Sequence, residues 1–251
     1  MIPIKKDNSL TGSIFIKNNL NTSIPVREKN ILDNFLNGNI PDFLRKFVSI
    51  YITEGENSII YQVMPDVLSI GEDDDYVRMP MNPLTAKKIA NLYNCTLPTK
   101  KMCDQIWDKA VIKLEPEPKG PPYDNSMLAT STFANHNRLI EKQKGNKPLD
   151  KLITGHKKDI VIDKKLLSKK DRVGIYGWFH KNNGKPIQGP NTNCSSHHTF
   201  YLDYSHSARL ISQDVLYNGI IMNFFDVLND KDICNIISDQ GPFDASKIYT
   251  I

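Results

Sequence analysis

The sequence predicts an α+β fold: a single domain with a mixed or antiparallel sheet and helices packed on one side. Three observations lead there. β-Branched and aromatic residues gather in residues 47–64 and again in residues 159–204, which favours strands. Apolar residues at helical spacing fill much of residues 83–143. Turn signals at Glu54-Gly55-Glu56-Asn57 and Lys181-Asn182-Asn183-Gly184 join neighbouring strands as hairpins.

Taken in order, residues 1–26 are polar and turn-rich and read as an N-terminal arm, with a weak strand around Ile14-Phe15-Ile16. The remaining residues, 27–251, form the single α+β domain. Ile31, Leu32, Phe35 and Leu36 suit a short helix. Phe47 to Ile52 and Ser58 to Met64 pair across the Gly55 turn, and strands continue at Val67 to Ile70 and Tyr76 to Met81. Between them, Glu72-Asp73-Asp74-Asp75 lacks the spaced oxygens of a calcium loop and reads as a solvated turn. Asn82-Pro83 starts one helix and Thr99 a second. Four prolines in residues 114–122 forbid helix and central strand, and this stretch is expected to be a strap over the domain surface. A helix from Ser126 to Gln143 carries His136 on its inward face, where a structural role is the expectation. Strands follow at Asp159 to Ile162, Arg172 to Trp178, Lys185 to Gln188 and Thr199 to Tyr204, and the chain closes with a helix near residues 230–237. The N-terminal hairpin is expected to extend the sheet of residues 155–211.

Composition narrows the function. The chain has 251 residues, 24% charged, with a net charge of +4. That is ordinary for a globular protein with its own core. The lysines come in scattered pairs without a basic block, so nucleic acid is not an expected partner. The 4 cysteines form no Cys-x-x-Cys pair, which leaves no zinc-ribbon or thioredoxin pattern. No run is apolar enough to cross a bilayer. The opening residues lack the apolar region of a signal peptide, so a cytoplasmic protein is expected, or a secreted one whose leader has been removed.

The chemistry concentrates between Gly155 and Arg209, which hold most of the chain's 6 histidines. If residues 197–205 are extended, His197, Thr199, Tyr201, Asp203 and Ser205 share a face, about 7 Å apart at each step. His156, Asp159, His197, Asp203 and His206 are the candidate catalytic groups. Lys157, Tyr176, Trp178, Tyr201 and Arg209 are the candidate substrate-binding groups. Three mechanisms fit these residue types. Histidine and aspartate can act as base and orienting acid, with Lys157 or Arg209 on an oxyanion. Three of His156, His197, His206 and Asp203 can hold a catalytic zinc, although His-Glu-x-x-His is absent. Cys194, in a loop near His197, can supply a thiol nucleophile. Opposed to all three stands a non-catalytic carbohydrate- or protein-binding module, in which Tyr176, Trp178, Tyr201 and Tyr204 form a stacking platform.

Gly155-His156-Lys157-Lys158-Asp159-Ile160-Val161, Arg172-Val173-Gly174-Ile175-Tyr176-Gly177-Trp178, Gly184-Lys185-Pro186-Ile187-Gln188 and Asp203-Tyr204-Ser205-His206 resemble blocks of a family of uncharacterised bacterial proteins. The likeness takes in Leu97-Pro98-Thr99 and the His136-Asn137 helix, and so covers roughly residues 75–240. That family has no assigned activity, so the resemblance implies neither mechanism nor substrate. The Val173-Gly174-Ile175-Tyr176 strand also looks superficially like one in cell-wall cysteine peptidases. There a histidine precedes the strand; here Arg172 does, and no Asp-Cys-Ser motif lies upstream.

The resulting expectation is a hydrolase with a His/Asp site, acting on an amide or glycosidic bond of a polymer such as cell wall. The rival is the binding module. A hydrolase needs His156, His197, Asp203 and His206 to converge, whereas a binder needs exposed, coplanar aromatics.

Overall fold

The computed structural model describes residues 2–121, 123–188 and 197–250. Two helices open the chain, α1 (Gly12–Asn19) and α2 (Ile24–Leu36). The expected weak strand at Ile14-Phe15-Ile16 is therefore a helix, and the arm is part of the folded body. Thr11 Oγ1 caps α1 by accepting from the Ile14 N–H, and Phe15 is fully buried. Gly12 is needed for this docking. A Cβ there would lie 2.7 Å from the Tyr76 backbone.

The chain continues through β1 (Val48–Glu54), β2 (Asn57–Val63), β3 (Ser69–Gly71) and β4 (Tyr76–Arg78), then α3 (Pro83–Leu92), β5 (Cys95–Thr96), α4 (Lys100–Lys109) and β6 (Ile112–Lys113). As expected, Asn82 and Thr99 cap α3 and α4, accepting from the N–H groups of Thr85 at 2.9 Å and Met102 at 3.2 Å. After the proline stretch come α5 (Thr130–Lys144), β7 (Ile153–Thr154), β8 (Lys158–Val161), β9 (Gly174–Phe179), β10 (Pro186–Gln188), β11 (His206–Ser207), β12 (Ile211–Tyr217), β13 (Ile220–Asn223) and α6 (Phe224–Asn229). The expected helix near residues 230–237 is only a single 3-10 turn, Cys234–Ile236.

The strands form two principal sheets. One has the order β1-β2-β12-β13, with β5 pairing to β12, and all its pairs are antiparallel. The other has the order β10-β9-β8-β11 and is mixed, because β11 runs parallel to β8. The N-terminal hairpin therefore belongs to a sheet of its own with the C-terminal strands, and does not extend the sheet of residues 155–211. Arg209 marks the crossing between them. Its buried guanidinium donates to the carbonyls of Met64 (3.0 Å), Pro65 (3.1 Å) and Ile153 (2.7 Å) as the chain leaves β11 for β12.

A large apolar core runs under both sheets. Beside it lies a largely buried ion network. Arg78 meets Asp66 at 2.7 Å and Glu141 at 2.7 Å. Asp66 also meets His156 Nε2 at 2.9 Å. Buried charge is tolerated only when paired in this way. Residues 114–121 are tied to α5 and to Tyr204. Gln143 Nε2 donates to the Glu115 carbonyl (3.1 Å) and the Glu117 carboxylate (2.7 Å), and the Lys119 N–H donates to Tyr204 Oη at 2.6 Å. The acidic turn also has structural duties: Asp75 accepts from Ser13, and Asp73 from the Phe43 N–H. Among the described residues no helix is long and apolar enough to cross a membrane.

Candidate functional site

Residues 197–204 do not form the expected strand. Apart from an isolated bridge at His198, they run through turns into β11. Asp203 supplies the reason. Its carboxylate accepts from the Ser205 N–H at 2.8 Å and from Ser205 Oγ at 2.5 Å, while its carbonyl accepts from the His206 N–H at 3.0 Å. Such local side-chain bonds offer the backbone a turn in place of a ladder.

The turn draws four expected residues together around one carboxylate. Tyr201 Oη donates to Asp203 Oδ2 at 3.4 Å, and His206 Nε2 stands 3.6 Å from the same oxygen. The His197 ring stacks on Tyr201 with centroids 4.0 Å apart and lies 6.0 Å from His206. His206 is fully buried, and neither of its ring nitrogens has a hydrogen-bond partner among the described residues. His197 and Tyr201 are half-buried and form the outer side of the group.

The electrostatics separate these groups. Burial works against the Asp203 charge, but His206, Lys158 and the Ser205 hydrogen bonds outweigh it and hold the carboxyl well below the usual carboxylate range. Burial pushes His206 down to about 4 and also lowers His197, against the pull of Asp203. Both imidazoles are therefore neutral at pH 7, and the charge resides on Asp203. Burial pushes the Tyr201 hydroxyl up to about 12, and Asp203 adds to the effect, so Tyr201 remains a donor.

The other expected site residues fall outside this group. His156 is held by Asp66 in the ion network. Asp159, pushed up to about 6 by burial, accepts from Ser207 Oγ at 3.3 Å. Lys157 is buried and donates to the Tyr204 carbonyl. Arg209 is engaged by its three backbone carbonyls. Tyr176 donates to Asp104 at 2.7 Å and packs with Trp107 and Phe179, in a cluster separate from the one that contains Trp178. The stacking platform does not form: Tyr176, Trp178 and Tyr204 are buried, and the Trp178 and Tyr204 rings cross at 71°. Cys194 lies outside the described residues. Among the described residues, no group of three or more His, Cys, Asp or Glu is arranged to hold a metal ion.

Two residues that sequence reasoning did not assign to the site stand beside it. Lys158, whose neighbour across the sheet is His206, places its ammonium 4.9 Å from the centre of the Trp178 ring. Alternation along β8 could have offered Lys158 as readily as Lys157. His136, from α5, meets Tyr204 edge-on at 4.9 Å and Trp178 at 6.3 Å. Trp178 itself has φ +63, a conformation that costs a bulky residue on the order of 1–3 kcal/mol and that gathers at functional sites. No protein-family model, curated protein or solved structure matches the chain.

Proposed function

We propose that the protein is a hydrolase whose site is built around Asp203, with His197 as the general base. The observation that carries this reading is the cluster around the ionised Asp203 carboxylate, which Tyr201 and His206 meet directly and beside which His197 is held by its stack on Tyr201. A half-buried imidazole kept neutral beside an anion is suited to accept a proton from water. Tyr201, stacked on His197 and hydrogen-bonded to Asp203, would fix the ring between carboxylate and substrate. His206 would back the carboxylate from the interior, where no substrate reaches it.

For an amide substrate, the water oxygen attacks the carbonyl carbon as its proton passes to the unprotonated ring nitrogen of His197. The carbonyl oxygen takes the displaced electron pair, and Lys158 is the cation available to receive that charge. The carbon–nitrogen bond then breaks, and the imidazolium returns its proton to the departing amine. At a glycosidic bond the water oxygen would attack the anomeric carbon, its proton passing to His197 and from there to the leaving oxygen as the carbon–oxygen bond breaks. The polymer substrate, such as cell wall, belongs to the same reading and rests on the imidazole–carboxylate chemistry.

The test is hydrolysis of purified peptidoglycan by the full chain, scored both as new amino groups and as new reducing ends, with and without added zinc. His197→Gln and Asp203→Asn should each lower the rate at least ~100-fold. Amino groups would identify amide cleavage and reducing ends glycosidic cleavage. Undiminished rates in both variants would overturn the assignment, as would the absence of both products with folded wild-type protein.

A further inference from the structure

The sheet β1-β2-β12-β13 carries a cleft apart from the hydrolytic site. Its volume is about 530 Å³, and Ile2, Arg45, Phe47, Gln62, Tyr93 and Asp214 are among the residues that line it. Strand register shows how its floor is built. Leu216 lies opposite Ile60 on β2 and opposite Ile221 on β13, and Asp214 lies opposite Asn223. Residues directly opposed, and residues two apart along a strand, share a face. Gln62 and Asp214 therefore project from one face, while Tyr61, Val63 and Val215 are buried in the core on the other. Both floor residues have acceptors to spare. Gln62 Nε2 donates to Ser49 Oγ at 2.8 Å, but no group among the described residues donates to its Oε1. The exposed Asp214 carboxylate has neither an ion pair nor a hydrogen bond among the described residues. The cation on the wall is already engaged. Arg45 donates to the carbonyls of Pro3 at 2.9 Å and Gly38 at 2.7 Å, and its Nε stands 3.3 Å from Asp42.

We propose that this cleft binds a small aliphatic cation, an ammonium or guanidinium group on a short carbon chain, with its head on Asp214 and Gln62. A carboxylate and an amide oxygen both require donors, and a cationic head carries several and accepts nothing. Hydrogen bonds of this charge-assisted kind are the stronger class. An anionic head would face Asp214 with like charge, and a hydroxyl head would leave that charge without a counterion. Ile2, Phe47 and Tyr93 offer the carbon chain apolar surface to cover. The volume falls within the ~300–1,000 Å³ of small-molecule sites. From β1 across β2 to β12 the floor spans about 10 Å, which suits a chain of about five carbons and its head.

None of the residues assigned to hydrolysis lines this cleft, so the two readings stand or fall separately. n-Pentylammonium and n-butylguanidinium are titrated into the full chain at pH 7 and followed by calorimetry, with n-pentanol and n-hexanoate as neutral and anionic counterparts. Saturable binding of a cation is expected, at least ~10-fold tighter than either counterpart and weakened by added salt. Asp214→Asn, which keeps the size of an exposed side chain and removes its charge, should weaken binding at least ~10-fold. Asp232→Asn, at an exposed carboxylate that does not line the cleft, should bind as wild type. No saturable binding of either cation by folded wild type would overturn the proposal. So would undiminished binding in Asp214→Asn, equal weakening in Asp232→Asn, or a counterpart that binds more tightly than the cations.

Discussion

Replacing His206 with glutamine should make the protein less sensitive to mild acid. The folded state keeps the His206 imidazole neutral down to about 4, against an ordinary value of 6.5. Well above pH 6.5 the group is neutral whether the chain is folded or not, and it contributes no pH dependence. As pH falls below 6.5, the unfolded chain takes up a proton that the folded chain excludes, so stability is lost until the folded value is reached. From those two values, the loss between pH 7 and pH 5 is about 2 kcal/mol. His206 is fully buried, so solvent screening does not reduce the figure. Asp203 is ionised across this window, because its neighbours hold it well below the usual carboxylate range. Glutamine brings its own packing offset, but that offset is the same at both pH values. The assay is urea denaturation of both proteins at pH 7 and pH 5. The gap between their unfolding free energies should shift by about 2 kcal/mol in favour of the variant at pH 5. Parallel behaviour at the two pH values would refute the buried, neutral state of His206.

Further outcomes follow from other parts of the molecule. Asp66→Asn removes the carboxylate that pairs with both Arg78 and His156; leaving the fully buried Arg78 without that partner should cost about 3–5 kcal/mol in chemical denaturation. Gly155→Ala drives a Cβ into the Leu114 carbonyl oxygen at φ +92, and should lower stability by more than ~1 kcal/mol or shift the strap, as read by denaturation and by proteolysis near residue 119. Thr99→Ala removes the cap of α4, and should cost ~1 kcal/mol by the same denaturation measurement. Tyr201→Phe keeps the ring that stacks on His197 but removes the hydrogen bond to Asp203; hydrolysis should fall ~10-fold with thermal stability nearly unchanged, and an unaltered rate would show that Tyr201 only packs.

Local chemistry made most elements legible in the sequence. Asn82 and Thr99 cap helices because their side chains reach the first free N–H groups. The β9–β10 hairpin follows from Asn183-Gly184, where Gly184 adopts φ +66. What failed turned on single cap and turn bonds that override the residue pattern, or on partners distant in sequence. Ile14-Phe15-Ile16 carries strand-forming residues, yet Thr11 caps it as a helix and Gly12 lets it dock on Tyr76. Residues 199–204 alternate like a strand, but Asp203 turns the chain through Ser205. For the same reason His206, which alternation placed on the face opposite His197, comes within 6.0 Å of it. His156 and Arg209 have functional chemistry in their side chains, but their partners, Asp66 and the carbonyls of residues 64, 65 and 153, are distant in sequence and invisible there. His136 was legible as a helix residue facing inward. That its nitrogens meet no partner among the described residues is a property of the packed interior.

The measurement that tests the central claim most directly is a double-variant cycle on hydrolysis, comparing wild type, His197→Gln, Asp203→Asn and the combined variant on purified peptidoglycan. If the imidazole and the carboxylate act as one unit, each single variant should lose nearly as much activity as the pair, and the combined loss should fall well short of the sum in free energy. Losses that simply add, or single variants that hydrolyse as fast as wild type, would contradict a site organised around Asp203.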